Sequence, residues 1–280
     1  MEPAELLKRM DSFNVLRAGG GYAAKNPFSS IVLSDFERNF KAALGERFIR
    51  SSGLPMPGDI PGKYKTISTG AGPEFQSLIR NIEAELQDGA QMIGEMHVNT
   101  PVWAPSVLQR SLAANGPLMQ ALWELAAKYD VPLMVHYELH ENAIRELENI
   151  LSTADNKVIL ILAHCGSFTG ANPVWRLMEK YPNLNCDLAN REHPRAPNVT
   201  AGPERMIYWP EGVVPGWKAL IEAYPDRFAV GSDTHNTWSE YEKTMTTIRK
   251  GLLANLSPTA ARKVAYENAA RWLKIKVPQP

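Results

Sequence analysis

The chain has 280 residues, 44% of them hydrophobic and 21% charged, and its 30 basic and 30 acidic side chains cancel. That composition buries one large core and leaves no disordered tract, so residues 1–280 read as a single α/β domain. Without a dense Lys/Arg block the phosphate-neutralising surface of a nucleic-acid binder is missing, and the expected ligand is a small molecule. The start, Met1 to Glu5, has neither the basic nor the apolar part of a signal peptide, and no apolar run approaches a membrane span. As written, the sequence predicts a soluble, cytoplasmic protein. Cys165 and Cys186 are too few for a disulfide framework and form no Cys-x-x-Cys pair. Each is expected to be a buried structural thiol, Cys165 facing the helical layer.

In chain order, a helix near Ala4 to Asp11 precedes an uncertain strand at Val15 to Arg17. The stretch from Gly19 to Ser34 has no readable period, a helix follows near Leu33 to Leu44, and Arg47 to Ser52 reads as a strand. From about residue 73 amphipathic helix and apolar strand alternate without a break. The helix over roughly 74–87 places Phe75, Leu78, Ile79, Ile82 and Leu86 on one face, and Gly89 closes it. The strand Gln91 to Val98, a helix over about 117–129 and a strand ending at His136 follow. Next come a helix marked by Leu147, Ile150 and Leu151, the strand Val158 to His164, a helix around Val174 to Tyr181 and the strand Leu184 to Leu188. A non-periodic insert, Arg191 to Pro215, leads into a helix around Trp217 and Leu220 and the strand Phe228 to Asp233. Two helices finish the chain, the last opened by Ser257 as N-cap with Pro258 behind it.

This order is that of a (β/α)8 TIM-like barrel that opens on a helix and so lacks its first strand. The periodless stretch after Gly19 or the tail Leu273 to Val277 is left to cover the gap. An uncovered gap leaves bare sheet edges, which favour pairing with a second copy of the chain.

His136, His164 and Asp233 each stand at the end of a separate apolar strand run, and in a parallel barrel those ends converge on one rim. Imidazole and carboxylate suit zinc, manganese or iron, and a catalytic site pairs about three such ligands with an open water position. Alone, His136 reads as a hydrogen-bonded core histidine; equivalent placing of the other two weighs against that. Glu95 and His97 share a strand face by alternation. Glu95 serves as a bridging ligand, a substrate contact or a salt-bridge partner, and His97 as a substrate contact. Asp187 either orients a metal-bound histidine or is a polar strand end. His235 and His193 lie on rim loops and are expected to meet solvent or substrate. His140 follows His136 by four residues across a strand-to-helix break, which removes the helical meaning of that spacing. Tyr208 and Trp209 in the insert could wall a pocket. The glycines at 19–21 lack the spacing and the Lys-Ser/Thr of a phosphate loop.

The ordered set Gly94-Glu95, Val135-His136, Leu162-Ala163-His164-Cys165-Gly166, Asn185-Cys186-Asp187 and Gly231-Ser232-Asp233-Thr234, ending in Glu267-Asn268-Ala269-Ala270-Arg271-Trp272-Leu273, resembles the amidohydrolase superfamily. Its nearest branch is similar to the amidohydrolase-2 group, which includes decarboxylases and lactonases, and the likeness runs from Ala4 to the C-terminus. The resemblance implies a divalent metal, zinc first and manganese second. It implies His136 as a metal ligand, His164 as a second ligand or the group polarising the substrate, and Asp233 as a ligand that also moves protons. Glu95 matches the carboxylate ligand of TatD-type relatives. The family's first strand carries a His-x-His pair, and none of the six histidines here forms one. The missing pair falls in the missing strand, so the sequence reads either as an N-terminally shortened enzyme, whose lost start could have carried a secretion or periplasmic signal, or as a member without the usual metal site.

The resulting expectation is a metal-dependent hydrolase of a small-molecule amide, ester or lactone, acting through a metal-bound hydroxide with Asp233 as proton shuttle and His164 polarising the oxygen. One rival is a decarboxylase of an unsaturated or aromatic acid on the same site. The other is a catalytically silent barrel that binds ligands through Trp209 and its neighbours.

Overall fold

Helix starts in this chain are set by proline and its φ near −65°, which suits the first helical turn. Pro3, Pro73, Pro117, Pro215 and Pro258 each open a helix. The computed structural model describes residues 2–19, 35–53, 67–100, 111–153, 157–167, 169–192, 206–234 and 237–277. It falls into two compact units, Met1–Val135 with Thr153–Val158, and His136–Ser152 with Ile159–Pro280.

The first unit contains α1 (Pro3–Ser12), β1 (Ala18–Gly19), α2 (Asp35–Leu44), β2 (Phe48–Ile49), β3 (Ser51–Ser52), α3 (Pro73–Gln87), β4 (Met92–Asn99) and α4 (Pro117–Tyr129). β1 runs parallel to β2, and β3 pairs in parallel with β4, Ser51 opposite Met92. The early strand begins at Ala18, after the expected Val15 to Arg17. The reason is local: the Arg47 guanidinium donates to the carbonyls of Val15 at 2.7 Å and Leu16 at 3.2 Å, so those acceptors serve a side chain rather than a ladder. The expected strand Arg47 to Ser52 divides at Arg50, where the chain changes partner from β1 to β4; the buried Arg50 guanidinium donates to the carbonyl and carboxylate of Asp88 at 3.0 and 2.6 Å. α3 buries Leu78, Ile82 and Leu86, as its period requires. It closes at Gly89, φ +91°, with Ala90 N–H on the Glu85 carbonyl and Gly89 N–H on that of Leu86, the paired bonds of a Schellman end.

Glu85, on the inner side of α3, carries a testable charge. Burial pushes its carboxyl from 4.5 up to about 7; the Gly53 N–H, 2.9 Å away, and Arg50 pull it down, and Glu37 pushes it further up. The folded chain therefore holds a proton that the unfolded chain has released above about pH 4.5. Its contribution is complete below that pH, falls as the pH rises to about 7, and is flat beyond. The loss is about 2 kcal/mol after allowance for partial exposure. Glu85→Gln should be the more stable protein at pH 8 in urea titrations, with the difference shrinking towards pH 5; parallel profiles would refute the assignment.

The second unit begins within β5 (Leu133–Tyr137), whose His136 and Tyr137 belong to it, and continues with α5 (Glu141–Thr153), β6 (Leu160–Leu162), α6 (Ala171–Lys180) and β7 (Leu184–Asp187). A hairpin of β8 (Tyr208–Trp209) and β9 (Gly212–Val213), then α7 (Pro215–Ala223), β10 (Phe228–Ala229), α8 (Trp238–Thr247), α9 (Pro258–Arg262) and α10 (Asn268–Trp272) complete it. β7 lies between β6 and β10, parallel to both, with Leu162 opposite Cys186 and Phe228 opposite the same residue. Parallel strands here read as near-continuous apolar runs, as helix-covered sheets do. α9 is capped by Ser257, whose hydroxyl accepts from Ala260 N–H at 3.3 Å.

Two expected strands, β6 and β10, are shorter than their apolar runs. β6 stops at Leu162 because Ala163 to Gly166 fold into a turn. β10 stops at Ala229 because the Val230 N–H goes to the Val264 carbonyl, which a π-turn over Lys263–Glu267 leaves available. Asn268, wholly buried, secures the same strand by donating to the carbonyls of Pro225 at 2.7 Å and Phe228 at 2.8 Å. The tail after Leu273 forms no strand: Lys274, φ +54°, ends the helix, and the Ile275 N–H closes on the Ala270 carbonyl. Residues 20–34, the other stretch left to fill the barrel gap, lie outside the described residues.

Cys165 and Cys186 correct the free-thiol expectation, being joined by a disulfide. Register explains it. Cys186 faces Leu162 across the β6–β7 ladder, and the left-handed turn after Leu162 carries Cys165 back onto that position, which extended strand geometry does not. Both remain buried as expected.

Candidate active site

The chemistry-bearing groups of the second unit gather beyond β5, β6 and β7. His136 is buried in β5, and its ring centroid lies 5.0 Å from that of His164 in an edge-on arrangement. Alternation puts Glu138 on the same side as His136, and its Oε1 lies 3.9 Å from His136 Nε2. Ser167 Oγ stands 3.4 Å from the same nitrogen.

His164 sits in an unusual backbone. His164, Cys165, Gly166 and Ser167 all have positive φ, 52°, 48°, 77° and 56°. Left-handed backbone costs about 1 kcal/mol or more for each residue bearing a Cβ and persists only where the surroundings enforce it. The turn is held by the Leu139 N–H on the Gly166 carbonyl at 3.2 Å, by the Cys165–Cys186 disulfide and by Arg191. His164 Nδ1 lies 3.0 Å from the Ala189 carbonyl, which only accepts, so Nδ1 carries the proton and in the neutral ring Nε2 presents its lone pair.

The β7 end builds that acceptor. Asp187 Oδ1 accepts the Ala189 N–H at 3.2 Å, anchoring the residue whose carbonyl orients His164. A Cβ on Gly231 would lie 2.5 Å from Asp187 Oδ1 and 2.9 Å from the Ala189 Cβ. Glycine is required for that close approach, which brings the chain leading to Asp233 against the β7 end. Asp233 lies four residues past β10 with φ +44° and is partly exposed.

In the first unit, β4 carries Glu95 and His97, whose Oε1 and Nε2 are 3.8 Å apart. Gly94 precedes them with φ +107°, and a Cβ there would be 2.0 Å from the Met134 carbonyl, so only glycine lets β4 run so close to β5. The Ser51 hydroxyl donates to the Gly94 carbonyl.

Of the residues expected to act, His136 and His164 are brought together, as are Glu95 and His97. Trp209 forms the hairpin with Gly212 against its ring, and its carbonyl packs on Gly251. His235 and His193 lie outside the described residues. His140 Nδ1 caps the Ala143 N–H at 3.3 Å at the start of α5. Glu138, Ser167 and Arg191 were missed by sequence reasoning. The alternation that pairs Glu95 with His97 would have found Glu138; Ser167 and Arg191 depend on the left-handed turn, which no periodicity announces.

A family model described as amidohydrolase matches residues 80–275. No curated protein matches the sequence. Among solved structures, a Staphylococcus aureus protein assigned as an amidohydrolase aligns with a TM-score of 0.58 at 14% identity, over 97% of this chain and 91% of that one. A mutant PTE-like lactonase from Deinococcus radiodurans aligns at 0.61 and 13%, over 96% and 85%. A 2,6-dihydroxybenzoate decarboxylase aligns at 0.54 and 13%, over 96% and 87%. At these identities the likeness shows a shared α/β barrel fold. No helix among the described residues is long and apolar enough to cross a membrane.

Proposed function

Because this chain belongs to the amidohydrolase family, its model matching residues 80–275, we propose that it is an enzyme hydrolysing an amide, ester or lactone of a small molecule with the help of a divalent cation. Zinc is the first choice for the cation and manganese the second. His136, His164 and Asp233 of the second unit would hold it. In the first unit Glu95 and His97 face one another at 3.8 Å and offer a separate carboxylate–imidazole pair to a cation.

The carrying observation is the orientation of His164. Its Nδ1 proton goes to a backbone carbonyl, the arrangement metal-binding and substrate-polarising histidines share, because it fixes the tautomer and turns Nε2 outward as a lone pair. The donor set, imidazoles with a carboxylate, also fits a borderline-hard divalent cation. When bound, such a cation supplies Lewis acidity, acidifying water and polarising a carbonyl. The chain's own groups do the rest. Asp233 takes a proton from the attacking water onto a carboxylate oxygen and returns it to the leaving group. His164 Nε2 would polarise the substrate carbonyl, and Ser167 Oγ, 3.4 Å from His136 Nε2, with Glu138 beside it, would orient the ring of His136.

Elemental analysis before and after zinc or manganese loading tests this, combined with a panel of lactones, esters, amides and unsaturated or aromatic acids. About one or two equivalents of metal with hydrolytic turnover is the expected result. Carbon dioxide release from an acid would replace the hydrolase with a lyase on the same residues. Neither stoichiometric metal nor turnover would overturn the reading in favour of a silent barrel.

A further inference from the structure

Arg191 is wholly buried directly after the β7 end, and its guanidinium faces the turn that carries His164. Nη1 donates to the carbonyl oxygens of His164 at 2.6 Å and Cys165 at 3.4 Å, and Nη2 donates to that of Thr169 at 2.9 Å. The guanidinium carbon lies over the ring of Trp217 in α7, 5.0 Å from its centroid. The Arg191 backbone is itself anchored, its carbonyl accepting from Ile207 N–H at 2.9 Å at the foot of the hairpin.

A buried guanidinium is costly unless its donors are satisfied, and here two bonds go to one short strained turn and a third to Thr169 just beyond it. Consecutive left-handed residues turn their carbonyls to one side, where they repel one another; a planar, always charged fork between them relieves that repulsion. Lysine cannot do this, because one ammonium cannot reach three spaced carbonyls while lying over an indole.

We infer that Arg191 is a positioning residue: it holds the His164–Ser167 turn in its left-handed form and thereby sets the tautomer and direction of the His164 imidazole. Its catalytic consequence rests on the proposed function; its structural consequence does not.

The test is nitrogen-detected NMR of the chelator-treated full chain labelled with 15N-histidine, the His164 signals being assigned from a His164→Gln variant. Wild type should show one Nδ1-protonated tautomer. In Arg191→Ala and Arg191→Lys, His164 should move to a mixture of tautomers while His140 stays put, and added guanidinium ion should restore the single tautomer in Arg191→Ala. An unchanged His164 signal in either folded variant would overturn the inference, as would both variants failing to fold, since Arg191 would then serve the whole unit. On a panel substrate that wild type turns over, Arg191→Lys should lower kcat about a hundredfold with KM within about threefold, the cost expected of a misplaced group. Absence of wild-type turnover would count against the proposed function and leave the NMR result standing.

Discussion

Asp233→Asn is expected to lower kcat by about 10³-fold on whichever panel substrate the wild type turns over, while leaving the melting temperature within about 2 °C. Asparagine is the instructive substitution because of the backbone. Asp233 has φ +44°, a region that Asn and Asp enter readily and most other side chains do not. Alanine at this site would mix the loss of the carboxylate with about 1 kcal/mol of backbone cost. Asn keeps the shape and the local conformation and removes only the ability to take a proton. The approach at Gly231, where a Cβ would lie 2.5 Å from Asp187 Oδ1, holds the segment in place from the β7 side in both proteins. Steady-state kinetics beside a thermal melt reads the result, and undiminished turnover in a folded variant would remove Asp233 from the mechanism.

The fold was legible where burial alone decides geometry. α3, α4, α6 and α7 appear within about three residues of their periodic runs, because a 3.6-residue apolar stripe over three turns has few alternatives. Pro73 and Gly89 mark the ends of α3, and Ser257 the start of α9, through backbone rules that need no tertiary partner. The strand ends were not legible, and for one reason. At His164 and before Asp233 the apolar pattern continues, yet the ladder stops because a distant group competes for the backbone: Arg191 for the carbonyls of His164 and Cys165, Val264 for the N–H of Val230. Such competitors lie 27 and 34 residues away in sequence and leave no local trace. The candidate residues were legible as types, since His136, His164 and Asp233 in the second unit and Glu95 in the first interrupt apolar runs. What could not be read is how His164 is aimed, through the carbonyl of Ala189, whose N–H Asp187 accepts.

Reduction of the Cys165–Cys186 bond is expected to lower the melting temperature by about 5 °C. The cross-link spans 21 residues of sequence, and closing a loop of that size removes unfolded-chain entropy equivalent to about 3 kcal/mol. Spread over the unfolding entropy of a chain of 280 residues, that becomes the stated shift. Both sulfurs are buried, so reductant acts mainly through opened or unfolded chains, and the effect should appear in melts run with a phosphine reductant rather than in brief native incubation. A Cys165→Ala/Cys186→Ala variant should melt near the reduced protein and ignore the reductant. The bond also bears on where the chain matures, because cytosolic thiols are kept reduced and a persistent disulfide belongs to an oxidising compartment. Alkylation of the untreated, denatured protein followed by mass measurement decides between the states. An unmodified chain carries the cross-link, whereas two labels per chain, with a melting temperature indifferent to reductant, would return both residues to the buried free thiols that their sequence context alone predicts.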